Sequence, residues 1–226
     1  MPTRQDVDRL PRVPAVAASV IFDCDGVLVD TEPVGNAVLA ELISELGIPT
    51  TREQAIATYM GRSMDSCLTM LEQRLGQPPP SDFAARYRIG VEAGWRCELR
   101  PVPGVVEALD AIELPNCVAS SGEHERIRLT LGLTGLLPRF EGRIFSATEV
   151  EHGKPAPDLF LHAAARMGFE PATTVVVEDT VPGVQAGRAA GMRVLAFARL
   201  VMADDLAAAG GEVFDDMRAL PGLLAD

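Results

Sequence analysis

Two aspartates, Asp23 and Asp25, stand one residue apart at the end of an apolar run, in the stretch "IFDCDGVLVDTE". In an extended chain that spacing turns both carboxylates to one side and Cys24 to the other. A second acidic pair, Glu178 and Asp179, closes another apolar run, "TTVVVED". Carboxylates at buried strand ends are costly without partners. Ionised at neutral pH, three or four of them together repel unless a cation sits among them. An all-oxygen, carboxylate-rich site suits Mg²⁺, which takes a few carboxylates and keeps several waters. Either pair alone could equally cap a turn or the helix that starts near Pro182. Both pairs at strand ends of one sheet favour a shared site.

Two further groups have the right chemistry to join them. Ser120, Ser121 and Gly122 precede a helical pattern that begins near Glu123, and the free N–H groups of a helix start can hold an anion such as phosphate. Ser in this place is also an ordinary helix cap. Lys154, in "HGKPAPDLF", precedes another helix, with Pro155 and Pro157 stiffening its loop. Aimed at the same edge, its ammonium would neutralise both a phosphate and a carboxylate.

The elements that must position these residues alternate along the chain. Val16–Phe22, Asn116–Ala119, Thr174–Val177 and Met192–Phe197 read as short apolar strands, with Arg143–Phe145 a weaker fifth. Between them lie helical patterns at Gly104–Ile112, Glu123–Leu131, Pro157–Met167 and Val181–Ala190. This alternation predicts an α/β fold, a doubly wound, Rossmann-like parallel sheet covered by helices on both faces. In such a sheet ligands sit beyond the carboxyl ends of the strands, where Asp23, Ser120 with Ser121, and Glu178 with Asp179 should converge.

One interval breaks the rhythm. Residues 33–99 read as helix after helix, including "AVLAELISELG", "MDSCLTMLEQRLG" and "SDFAARYRIGVEAGW", and predict an inserted helical domain. The core is then residues 1–32 and 100–226, with hinges near Thr31–Pro33 and Arg100–Pro103 and a loosely ordered lead-in over residues 1–14.

Composition narrows the possible partners. A formal net charge of −12 argues against nucleic acid or an anionic membrane surface, since either requires a basic face. No stretch reaches the roughly 18 consecutive apolar residues of a membrane span, and the first residues do not read as a signal peptide. The four cysteines form no CxxC pair, which suggests reduced thiols and a cytoplasmic location. With no obvious exposed apolar stripe, the expected state is a monomer.

"DCDGVLVDTE", "VASSG", "GKPAPDLFL" and "VVVEDTVPGVQAGRAAGM", in this order, resemble the four motifs of the haloacid dehalogenase superfamily of Mg²⁺-dependent phosphohydrolases. The helical insert resembles the cap of the subfamily that contains beta-phosphoglucomutase and many small sugar-phosphate phosphatases. The resemblance implies Asp23 as nucleophile, forming an aspartyl-phosphate, and Asp25 as general acid/base with its carbonyl on the metal. It implies Ser120 and Lys154 as phosphate contacts, and Glu178 and Asp179 as the acids that hold Mg²⁺ together with Asp23, Asp179 being the direct ligand of the two. The implied substrate is a small phosphorylated metabolite, a sugar phosphate or sugar-acid phosphate.

For substrate contacts the candidates are Thr31 and Glu32 at the hinge, Ser121 and Gly122 on the motif-two loop, and Gly61, Arg62 and Ser63 in "MGRSMDS", which resemble the cap segment that meets substrate. Arg62 could pair with an anionic group on the substrate. Tyr59 and Trp95 read as core of the insert. The mutase pattern has a histidine four residues after the Thr of "DT"; this chain has Gly35 there, which favours a phosphatase over a phosphoryl-transferring isomerase. None of the three histidines takes a role from sequence alone.

Overall fold

The computed structural model describes residues 17–59 and 64–225. The lead-in at 1–14, together with Gly61, Arg62 and Ser63, lies outside them.

Six strands form one parallel sheet in the order β3-β2-β1-β4-β5-β6. They are β1 (Ser19–Phe22), β2 (Asn116–Ser120), β3 (Ile144–Ser146), β4 (Thr174–Glu178), β5 (Arg193–Phe197) and β6 (Glu212–Phe214). β1 runs at the centre, with Ile21 opposite Cys117 of β2 and Val176 of β4. Strand parity divides the core. Val20, Phe22, Val118, Val175 and Val177 pack with helices α5 (Val105–Ala111), α6 (His124–Leu133) and α11 (Leu220–Ala225) on one face. Ile21, Cys117, Ala119, Val176 and Val194 pack with α8 (Asp158–Met167), α9 (Val181–Ala189) and α10 (Ala203–Ala208) on the other. Burial on both faces explains why these strands read as continuous apolar runs, not alternating ones.

β1 is shorter than the predicted 16–22: its ladder starts at Ser19. β6 was not predicted, for a physical reason. Glu212 and Val213 are exposed at the sheet edge and Phe214 alone is buried, so three residues carry no apolar pattern. The short α7 (Leu137–Phe140) and the helices α10 and α11 likewise carry too few periodic positions to stand out.

Between β1 and β2 the chain forms α1 (Glu32–Glu45), α2 (Arg52–Tyr59), α3 (Met64–Leu75) and α4 (Phe83–Glu98). These helices bury their own apolar cluster around Leu39, Ile43, Ala55, Tyr59, Leu71 and Phe83, apart from either face of the sheet. Trp95 joins Val34 and Val91 in a smaller cluster that touches Leu129 of α6. The two passages between sheet and helices run side by side. Val29 bridges Pro101, Asp30 N–H donates to Arg100 O at 2.9 Å, and Val102 N–H donates to Leu28 O at 3.0 Å. Arg199, after β5, adds an ion pair from its Nη2 to Asp30 Oδ1. Among the described residues no helix is long and apolar enough to cross a membrane, and all four cysteines are free thiols.

Candidate active site

β1, β2 and β4 deliver their last side chains to one edge, as parallel strands must. Asp23 follows β1 with its N–H bonded to Val177 O of β4 at 2.9 Å, which fixes where its carboxylate emerges. Ser120 and Glu178 end β2 and β4 themselves. Lys154 arrives from the loop before α8, its peptide to Pro155 in the cis form.

Lys154 lies between two acids. Its Nζ donates to Asp23 Oδ1 at 2.5 Å and to Glu178 Oε1 at 2.7 Å, all three side chains being buried. The ring of Phe160 lies 4.9 Å from the same nitrogen. Burial alone would lower the Lys154 pKa, but Asp23 and Glu178 outweigh it and raise the value, so the ammonium stays charged. Burial pushes Asp23 up to about 7 against the pull of Lys154, with Glu178 and Asp25 adding repulsion. Asp179 is raised too, first by burial and then by Glu178 and Asp23.

Glu178 and Asp179, expected together as metal-holding acids, differ in their partners. Glu178 Oε1 takes the lysine, and its Oε2 accepts from the N–H of Asp179 at 2.8 Å, the N–H of Thr180 at 2.7 Å and Thr180 Oγ1 at 2.9 Å. Its carboxylate is occupied within the chain and anchors Lys154. Asp179 Oδ1, by contrast, is buried with no hydrogen-bond partner. A buried unpaired carboxylate oxygen beside other acids has the chemistry to receive a cation. When all are ionised, Asp23, Glu178 and Asp179 against Lys154 leave an excess of two negative charges, which one divalent cation would balance. Among the described residues no three acid, imidazole or thiol groups lie close enough to hold a metal by side chains alone. A Mg²⁺ ion, commonly bound through one or two carboxylates and completed by water and other oxygens, would not require a third such group.

Gly26 makes this packing possible. Its φ is +81°, and a β-carbon there would lie 2.0 Å from Asp179 Oδ2. Gly26→Ala is therefore expected to lower stability by about 1–2 kcal/mol from backbone strain alone. It should also displace Asp179, and denaturant melts would show the loss of stability.

Asp25 turns outward. Its Oδ2 accepts from Arg126 Nη2 of α6 at 2.6 Å, and the Arg126 guanidinium lies 5.1 Å from the centroid of the Trp95 ring on α4. Ser120 Oγ accepts from Gly122 N–H at 3.2 Å, and Ser146 Oγ at the end of β3 donates to Gly122 O at 2.7 Å, so two hydroxyls shape the motif-two turn. Ser121 and Gly122 border a cavity of about 800 Å³ between the sheet edge and α1–α4, with Thr31, Glu32, Asn36, Trp95 and Arg126 also in its lining. Asn36 Nδ2 donates to Glu32 Oε2 at 3.1 Å, and burial raises the Glu32 pKa. Tyr59 and Trp95, expected as core, are buried and also line this cavity. A β-carbon at Gly35 would lie 2.9 Å from the Tyr87 hydroxyl, so no side chain fits there as Tyr87 stands.

Sequence reasoning missed Arg126, Ser146 and Asn36, because nothing in their local spacing marks them. The histidines turn out to serve the scaffold: His124 and His162 both meet Glu149, at 2.8 and 3.2 Å, and His152 meets Asp158 at 3.1 Å.

The model of the haloacid dehalogenase-like hydrolase family matches residues 18–191. The chain belongs to that family. It is 31% identical over 180 residues to the 6-phosphogluconate phosphatase of Escherichia coli, covering 79% of this chain and 81% of that one. It is 32% identical over 177 residues to the fructose-1-phosphate phosphatase of the same organism, covering 77% and 93%. Among solved structures, a haloacid dehalogenase-like protein of unknown function from Agrobacterium tumefaciens superposes with a TM-score of 0.85 at 34% identity, covering 92% of this chain and 98% of that one. A family hydrolase from Deinococcus radiodurans with bound phosphate and sodium superposes with a TM-score of 0.81 at 30% identity, with the same coverage.

Proposed function

We propose that the chain is a Mg²⁺-dependent phosphatase that hydrolyses a small phosphorylated sugar or sugar acid through an aspartyl-phosphate. The observation that carries this reading is the buried Asp23–Lys154–Glu178 triangle beside the unpartnered oxygen of Asp179. The names of the relatives, a 6-phosphogluconate phosphatase and a fructose-1-phosphate phosphatase, support the substrate class.

Asp23 Oδ attacks phosphorus while the bond from phosphorus to the substrate oxygen breaks, and that oxygen takes a proton from the Asp25 carboxyl. Asp25 then accepts a proton from water as the water oxygen attacks phosphorus. The acyl-phosphate bond breaks, and phosphate and the Asp23 carboxylate are released. Lys154, held by Glu178, offsets the repulsion between carboxylate and phosphate, while the Ser120 hydroxyl, which accepts from Gly122 N–H, and the N–H of Ser121 donate to phosphate oxygens. Asp23 and Asp179, with the Asp25 carbonyl, would hold Mg²⁺, which when bound supplies further charge neutralisation at the transferring phosphoryl group. Residues 33–99 serve as a cap that covers the edge and excludes water.

Phosphate release from a panel of sugar phosphates and sugar-acid phosphates, with Mg²⁺ and with a chelator, tests the reading. Turnover should require the metal, and phosphate release unaffected by chelation would defeat it. A second expected result needs no turnover. Asp23 holds its proton to about pH 7 when folded and to about 3.8 when unfolded, so the folded state binds more protons between those values. The stability of the metal-free protein therefore falls as pH rises across that window. A cation must displace this proton, so Mg²⁺ should raise the melting temperature more at pH 8 than at pH 6. Equal shifts at both pH values would remove Asp23 from the metal site.

A further inference from the structure

Two arginines outside the motifs line the cavity, Arg88 and Arg126, and of the two Arg126 is the one joined to a motif residue. Of the five donors on a guanidinium, the structure engages one, on Asp25 Oδ2. The flat group is held over Trp95, and its side chain remains 47% exposed on the wall of the 800 Å³ cavity.

Asp25 meets Arg126 through Oδ2 alone. A turn of that carboxylate toward the leaving oxygen would free Arg126 Nη2 and leave the guanidinium beside Trp95 without its counter-charge. The acids of the same cavity do not replace it. Glu92, Glu123 and Glu125 are exposed at the rim, where water screens them, and Glu32 is tied to Asn36. The unmet need is a planar anion inside the cavity, and a carboxylate fits a guanidinium fork with two parallel hydrogen bonds.

We propose that Arg126 determines specificity by exchanging Asp25 for a carboxylate carried by the substrate, so that the cavity selects phosphorylated sugar acids over neutral sugar phosphates. The exchange changes hydrogen-bond partners and makes or breaks no covalent bond. It also ties substrate recognition to the release of Asp25 toward the leaving oxygen. The inference rests on the phosphatase reading for its consequence in turnover, though not for its consequence in binding.

The test uses a matched pair, 6-phosphogluconate and sorbitol 6-phosphate, which share a chain and a phosphate and differ at one terminal carbon, carboxylate against hydroxymethyl. In Arg126→Gln the ratio of kcat/KM for the acid over the polyol should fall roughly ten- to a hundredfold, as expected for a charge-assisted hydrogen bond. Arg126→Lys, which keeps the charge without the fork, should recover part of that ratio. Calorimetry on Asp23→Asn should show tighter binding of the acid, and the doubly substituted Asp23→Asn, Arg126→Gln protein should lose that preference. An equal fall for both substrates would overturn the proposal, leaving Arg126 with only a hold on Asp25; an unchanged ratio would overturn it as well. If the native protein hydrolyses neither compound, the phosphatase reading fails for this substrate class, and the calorimetric preference alone decides the role of Arg126.

Discussion

Replacing Lys154 with Met is expected to stop turnover and to lower the unfolding free energy by about 3–5 kcal/mol at pH 8, the usual cost of stripping one partner from a buried ion pair. The size follows from the geometry. Lys154 Nζ touches Asp23 and Glu178 at once, and all three side chains are buried, so its loss leaves two buried carboxylates facing each other. Thr180 and two backbone N–H groups still hold Glu178 in place. The repulsion must then be relieved at Asp23, whose pKa should move higher than the present value of about 7. The sign with pH follows. Below that value Asp23 is neutral and the penalty shrinks, so denaturant melts at pH 5.5 should show a smaller difference from the native protein than melts at pH 8. A penalty independent of pH would mean that the loss is one of packing against Phe160 and not of charge.

Asp23→Asn is expected to abolish activity without that loss of stability, with turnover down by roughly four or more orders of magnitude and stability equal to or above that of the native protein. An amide has the shape of the carboxylate but is a far weaker nucleophile, so the proposed aspartyl-phosphate would not form. It also removes a charge that burial disfavours, while Lys154 keeps Glu178 as partner. Phosphate release together with thermal melting separates the two effects. Retention of more than a small fraction of native turnover would move the nucleophile elsewhere.

Much of this site was legible before the fold was known, because a parallel sheet turns strand ends into neighbours. Asp23, Ser120 and Glu178 could be placed together from apolar runs that stop at a polar residue. Contacts that depend on the height of one side chain above another were not legible. Nothing in "VVVEDT" shows that Glu178 spends both oxygens inside the chain while Asp179 keeps one free. Arg126 sits in the run "HERIRLTL", where a solvated helix face is the ordinary reading, and only the fold brings Asp25 to one side of it and Trp95 to the other. β6 stayed hidden for a related reason, since an edge strand with one buried residue has no pattern to read.

The two passages between the sheet and helices α1–α4 lie against each other, tied by the Val29–Pro101 bridge and by the bonds from Asp30 to Arg100 and from Val102 to Leu28. The four helices therefore leave and rejoin the sheet along one line at its edge. Trp95 stands on the helical side of that line, while Asp23, Lys154, Glu178 and Arg126 stand on the sheet side. The chamber is thus walled by two separately packed bodies, and the buried charges belong to one of them alone.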